Sequence, residues 1–231
     1  MPLTRCIVAS RNSVSRIIEK VVVSDTFTDS DGTLLEAHTP DIDDVGLGWT
    51  VQRGDPAEFK IDNNELLINL NNLTNTDQAT IDAGISDCVI TLTMELGGVN
   101  PVFWFRVNGD VGNAPEHGFT VNMGISASLF RLSRVEGVTN QTLLDSAGHL
   151  YAVGEIVDLR ITLNGDSIIA EDLTHGLTLS ATDSFNQNET EYGPGENSGG
   201  FLCRMDNLII KEVIFRDQIT RPDSSAIIVC P

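Results

Sequence analysis

The sequence is poor in basic residues, in aromatics and in cysteine, and it contains no long apolar run. Fourteen lysines and arginines face 33 aspartates and glutamates, a formal net charge of −19 over 231 residues. A surface of that sign repels a nucleic-acid duplex or an anionic bilayer, so nucleic acid is excluded as a partner of the main body. No window approaches the roughly 20 apolar residues of a membrane span, and no membrane is expected as a partner. The opening "MPLTRCIVASRNSVSR" lacks the apolar stretch that an export signal needs. The four cysteines, Cys6, Cys88, Cys203 and Cys230, include no Cys-x-x-Cys pair, which excludes a zinc ribbon or a thioredoxin-type centre. Cys88 and Cys203 fall within apolar strand patterns and read as buried thiols. Cys6 and Cys230 could meet if the termini are adjacent; without an export signal they are expected to stay reduced.

Helical periodicity is also scarce. Only "SVSRIIEK" and "TDQATIDAG" could be helical, and both are short. The dominant period is two. In "EIVDLRITLNG", Val157, Leu159, Ile161 and Leu163 alternate with Asp158, Arg160, Thr162 and Asn164; "CVITLTMEL" and "NELLINLN" behave alike. Such alternation sets one face of a strand on a core and the other in water. Similar runs at 17–23, 48–53, 101–107, 118–123, 128–135, 167–172, 177–181 and 206–215 are separated by turn signals such as "NGD" and "YGPGENSGG". The pattern predicts an all-β fold of two packed antiparallel sheets with very little helix.

Charge divides the chain. Residues 1–23 hold Arg5, Arg11, Arg16 and Lys20 against the single Glu19, a balance of +3, and the remainder carries −22. The expected organisation is an N-terminal arm or added edge strand over 1–23, a sandwich over 24–215, and a tail over 216–231. The arm is a candidate attachment segment, with its four basic side chains as the contact residues. The tail ends on "AIIV", a short apolar run suited to docking on a sheet edge or a partner.

Catalytic patterns are missing. A calcium loop of the EF type starting at Asp29 needs glycine sixth and glutamate twelfth, where Leu34 and Pro40 stand. Glycoside hydrolysis needs two carboxylates about 5–10 Å apart; Glu155 and Asp158 point to opposite strand faces. Gly-x-Ser-x-Gly is absent. The histidines, His38, His117, His149 and His175, show no paired ligand spacing. Binding is better served. In "PVFWFRV", Phe103 and Phe105 face one way and Trp104 the other, so Trp104 is expected at the surface as a sugar-stacking platform if the phenylalanines are core. Tyr192 and the polar loops at 108–118 and 184–200 complete a possible glycan-binding set.

The segments "DTFTDSDGTLLEAHTPD…GWTV", "ATIDAGISDCVITLTMEL", "VFWFRVNGD", "LRITLNGDSIIA" and "CRMDNLIIKEV" follow one another as in a known family. In that order they resemble the concanavalin-like (laminin-G-like) jelly-roll domains of tailed-bacteriophage structural proteins, over roughly residues 24–215. The resemblance implies a jelly-roll sandwich. In some members of that family calcium lies between the first and last strands, and Asp25 and Asp206 are the residues that would match; otherwise no cofactor is expected. The Glu-x-Asp-x-x-Glu strand of concanavalin-like glucanases is missing, so the chain is expected not to be an enzyme.

The expected function is a non-enzymatic virion component of a tailed phage, as capsid decoration, head fibre or tail-associated protein, assembled in the host cytoplasm. It would be attached through its termini to other virion proteins or to further copies of itself. The alternative is a carbohydrate-binding module that grips host or environmental glycan.

Overall fold

The computed structural model describes residues 16–69, 77–97, 101–108, 117–125, 128–137, 140–196 and 202–216. Sixteen strands occur among them: β1 Arg16–Asp25, β2 Ile42–Asp43, β3 Trp49–Arg53, β4 Phe59–Asp62, β5 Glu65–Asn69, β6 Gln78–Asp82, β7 Cys88–Leu96 and β8 Pro101–Asn108. There follow β9 His117–Gly124, β10 Leu129–Glu136, β11 Gln141–Gly148, β12 Glu155–Asn164, β13 Ser167–Asp172, β14 Leu177–Thr182, β15 Glu191–Glu196 and β16 Leu202–Arg216. They form two sheets in which every strand pairing is antiparallel. The larger, nine-stranded sheet runs β14-β13-β12-β7-β16-β1-β2, with β5 on β16 and β4 on β5. The smaller, seven-stranded sheet runs β11-β10-β9-β8-β15-β6-β3.

The alternating side chains close the sandwich. On β12, Val157, Leu159, Ile161 and Leu163 are buried while Asp158, Arg160 and Asn164 are exposed. They meet Phe103, Phe105, Phe119, Val121, Phe130 and Leu132 of the small sheet in one continuous core. A phenylalanine or leucine taken from water contributes about 1.5–3 kcal/mol, so this interface is the main source of stability. Cys88 and Cys203 are free, buried thiols, and burial pushes each up to about 12.

Two expectations about local structure are corrected. Both segments proposed as helical are extended: residues 16–20 lie in β1 and 78–82 in β6. Their tertiary pairing, β1 with β16 and β6 with β15 and β3, overrides a weak local preference. The stretch read as a glycine-rich turn, "EYGPGE", is instead β15, held between β8 and β6. Residues 16–23, grouped with the arm by charge, form most of β1, which lies between β16 and β2. Cys6, Cys230 and the tail beyond Arg216 lie outside the described residues.

Candidate functional site on the outer face of the small sheet

Strand alternation gives the small sheet an outer face turned away from the core. Trp104 on β8 stands opposite Thr120 on β9, and Val102 opposite Asn122. Across the next ladder, Thr120 faces Ser133 and Asn122 faces Arg131 on β10. On the other side, Trp104 faces Gly193 and Val102 faces Gly195 of β15. Gln78 and Thr80 of β6, paired with Arg53 and Thr50 of β3, extend the same row.

The two glycines explain how the indole is seated. A Cβ on Gly195 would lie 2.7 Å from Trp104 Nε1, and one on Gly193 would lie 2.1 Å from the Ala79 carbonyl oxygen. Only residues without a Cβ let the ring and the neighbouring backbone approach that closely.

This face is polar and yet buried. Gln78, Thr80, Thr120, Asn122 and Ser133 are all buried, and Gln52 and Arg131 are half-buried. Six atoms along it have no hydrogen-bond partner among the described residues: Gln52 Oε1, Gln78 Nε2, Trp104 Nε1, Thr120 Oγ1, Asn122 Oδ1 and Arg131 Nε. A buried donor or acceptor left unpaired costs about 1–3 kcal/mol, so native interiors rarely tolerate several together. Donors and acceptors therefore stand in a single row on this face, beside the buried Trp104 indole.

One acidic pair borders the row. Glu191 and Asp82 are directly opposed on β15 and β6. Glu191 Oε2 accepts from Gln52 Nε2 and from the Thr80 hydroxyl, each at 2.8 Å. Burial, reinforced by the nearby Asp82 and Glu189 charges, raises the Glu191 carboxyl above its ordinary value. Asp82 Oδ1 accepts from the Gly84 amide and the Thr190 hydroxyl.

Trp104 does lie opposite in direction to Phe103 and Phe105, but it is not exposed. It is fully buried, packed with Val102, Val107 and Val135 in a small second cluster. Tyr192 belongs to the main core, where its hydroxyl donates to the Ile85 carbonyl at 2.7 Å. It therefore cannot line the same surface, and an open stacking platform built from this pair is withdrawn.

The two residues of the calcium expectation are both engaged within the protein. Asp25 is fully buried; Oδ1 accepts from the Phe27 amide at 2.8 Å and meets His38 Nε2 at 2.9 Å, while Oδ2 accepts from Trp49 Nε1 at 2.8 Å. Asp206 accepts from the Asn207 amide and side chain at 2.7 and 2.8 Å. Burial first, and the Asp25 charge after it, raise Asp206. These contacts use both carboxyl oxygens of Asp25, and the two residues together supply only part of the 6–8 oxygens that calcium takes.

Of the basic arm residues, Lys20 forms an exposed ion pair with Asp44, and Arg16 stands opposite Arg216 in the β1–β16 ladder. Arg5 and Arg11 lie outside the described residues. Sequence reasoning marked Trp104 and missed the rest of the row. The available signal was the alternation of Thr120 and Asn122 with Phe119, Val121 and Met123, which reads as an ordinary solvated face.

No family model matches the sequence, and no curated protein matches it. Solved structures do. A non-specific endo-β-1,3(4)-glucanase of family GH16 aligns at 12% identity and TM-score 0.55, covering 87% of this chain and 95% of that one. An immunostimulatory antigen and pseudo β-1,3-glucanase of Mycobacterium tuberculosis aligns at 14% identity and TM-score 0.54, covering 82% and 98%. The CBM2 module of the evolved Dit of Lactobacillus casei BL23 phage J-1 aligns at 11% identity and TM-score 0.52, covering 86% and 97%. The fold is a concanavalin-like jelly-roll β-sandwich. Likeness at this level of identity establishes architecture alone.

Proposed function

We propose that the chain is a non-catalytic glycan-binding sandwich carried on a tailed-phage particle. The observation that carries the binding half is the row of unpaired polar groups around Trp104 on the outer face of the small sheet. A sugar presents hydroxyls that both donate and accept, the complement of the unpaired donors and acceptors in the row. The net charge of −19 favours neutral over anionic polysaccharide. Support for the particle comes from the resemblance to phage jelly rolls and from the shared architecture with a phage Dit module. On this reading the protein is displayed on the virion after assembly in the host cytoplasm. Residues 1–15 and 217–231 provide the attachment to other virion proteins or to further copies of the chain.

Retention on immobilised polysaccharide tests the binding half. Wild-type protein is expected to be retained on neutral host cell-wall glycan or laminarin and to pass through sulfated carrageenan. Asn122→Ala and Arg131→Ala each remove a group from the row at little cost to the core, and each is expected to weaken retention at least tenfold. Passage of the wild type through every neutral glycan column would end this reading. The enzymatic alternative rests on Glu191 and Asp82, and release of reducing ends that Glu191→Gln abolishes would establish it in place of the present one.

A further inference from the structure

The fold joins residues that the sequence keeps apart. His149 follows β11, Glu155 opens β12 and His175 lies in the turn between β13 and β14. One ligand atom from each, all within 4.8 Å of one another, converge at one end of the large sheet. His175 Nε2 lies 2.7 Å from Glu155 Oε1, and His149 Nε2 lies 3.9 Å from the same oxygen. The two imidazole rings lie with centroids 3.8 Å apart, tilted 39° to one another. The histidines, read from the sequence as isolated, are therefore a pair.

The surroundings hold this trio in a ligating arrangement. Asp172 is fully buried, and its Oδ2 lies 2.7 Å from His175 Nδ1. The same Oδ2 accepts from the Tyr151 hydroxyl at 2.7 Å, and Oδ1 accepts from the His175 amide at 3.0 Å. Burial raises the Tyr151 hydroxyl far above its ordinary range, so it remains a donor. Tyr151 also packs edge-on against both His149 and His175. Glu155 is oriented too, because its Oε2 accepts from the Ala152 amide at 2.7 Å and Oε1 alone points at the histidines.

The ring of His175 thus has a carboxylate oxygen 2.7 Å from each nitrogen. A proton on Nδ1 satisfies Asp172. Nε2 and Glu155 Oε1 face each other across 2.7 Å, where a cation could bridge them. A carboxylate on the far nitrogen is the usual means of fixing a metal-binding histidine in the right tautomer.

We propose that His149, Glu155 and His175 bind a divalent transition-metal ion of the zinc class, with Asp172 and Tyr151 as positioning residues. Two imidazoles and one carboxylate suit zinc at about 2.0–2.2 Å per bond, for which tetrahedral ligands stand about 3.3 Å apart. The observed 2.7 and 3.9 Å to the Glu155 oxygen bracket that spacing, and all three ligand atoms lie within 4.8 Å of one another. Three protein ligands leave the fourth position for water or for a donor from another molecule. A set with two nitrogens disfavours calcium and magnesium, which require oxygen. The ion would tie the loop at 149–155 to the β13–β14 turn. It is independent of the glycan-binding reading, which concerns the other sheet.

Titration calorimetry of metal-stripped full-length protein tests this, with Cys6→Ser and Cys230→Ser in place so that no terminal thiolate competes. Zinc is expected to bind with one ion per chain, and calcium to give no heat. His149→Gln and Glu155→Gln, both at partly exposed positions, are expected to lower zinc affinity at least tenfold. Asp172→Asn is expected to lower it by ~10–100-fold. Cobalt added to the unsubstituted chain should give the intense visible bands of a tetrahedral nitrogen–oxygen site, a readout independent of any variant. Absence of those bands, or zinc binding that His149→Gln and Glu155→Gln leave unchanged, would overturn the assignment.

Discussion

One buried carboxylate, Asp25, joins three separate segments of the chain. Its carboxylate gathers the Phe27 amide, His38 and the Trp49 indole, and His38 reaches on to Asp29 at 3.3 Å. The segment from Asp25 to Thr50, dense in acids and suggestive of a cation loop, thus closes on a buried clasp of Asp25, His38 and Trp49 that fixes how β1 leaves the core and β3 enters it. Removing the hub strands three donors. Asp25→Ala is expected to lower stability by about 3–5 kcal/mol, read as a shift in the urea midpoint; a change under 1 kcal/mol would mean that the contacts are incidental. Asp29, at the solvent end of the clasp, gives a pH signature. The Ser30 amide first, and His38 after it, hold Asp29 below its ordinary 3.8. With the folded value below the unfolded one, its contribution is complete above the unfolded value and is lost as pH falls through the folded one. The midpoint difference between wild type and Asp29→Asn should therefore be open at about pH 5 and close below about pH 4.

At the scale of elements, β15 shows what a local reading of sequence can and cannot reach. Its "EYGPGE" carries two glycines and a proline, the composition of a turn, yet it lies between β8 and β6. The reason is non-local: Gly193 and Gly195 are needed because the Ala79 carbonyl and the Trp104 ring occupy the space a Cβ would take. Strands with strict alternation, such as β7 and β12, were legible because half of each residue set faces the core. β11 was not, since its eight residues are all exposed or half-buried at a sheet edge. The same logic separates Trp104, found from its position between two phenylalanines, from Gln78, Thr120 and Arg131, which become neighbours only through strand pairing. Gly195→Ala should force the indole out of its seat, costing about 1–3 kcal/mol and changing Trp104 fluorescence. An unchanged spectrum would contradict the close contact.

The whole molecule is an acidic two-sheet body whose basic N-terminal charge is partly drawn into the fold. Because β1 starts at Arg16 and pairs with β16 along its length, the segment available for attachment is shorter than charge alone suggests. Deleting residues 1–15 should leave the urea midpoint within about 0.5 kcal/mol of wild type while abolishing incorporation into particles. Full incorporation of the truncated chain would remove the attachment role from that segment. The claim on which the functional account rests is that the outer face of the small sheet takes a sugar. The chain has two tryptophans, one on that face and one in the clasp. The most direct measurement follows their two indole N–H signals in a nitrogen-15 correlation spectrum during titration with neutral glucan oligosaccharides, the signals being assigned with Trp104→Phe. The account predicts that the Trp104 signal moves and saturates while the Trp49 signal, held by Asp25, stays in place. Two stationary signals, or movement of Trp49 alone, would contradict it.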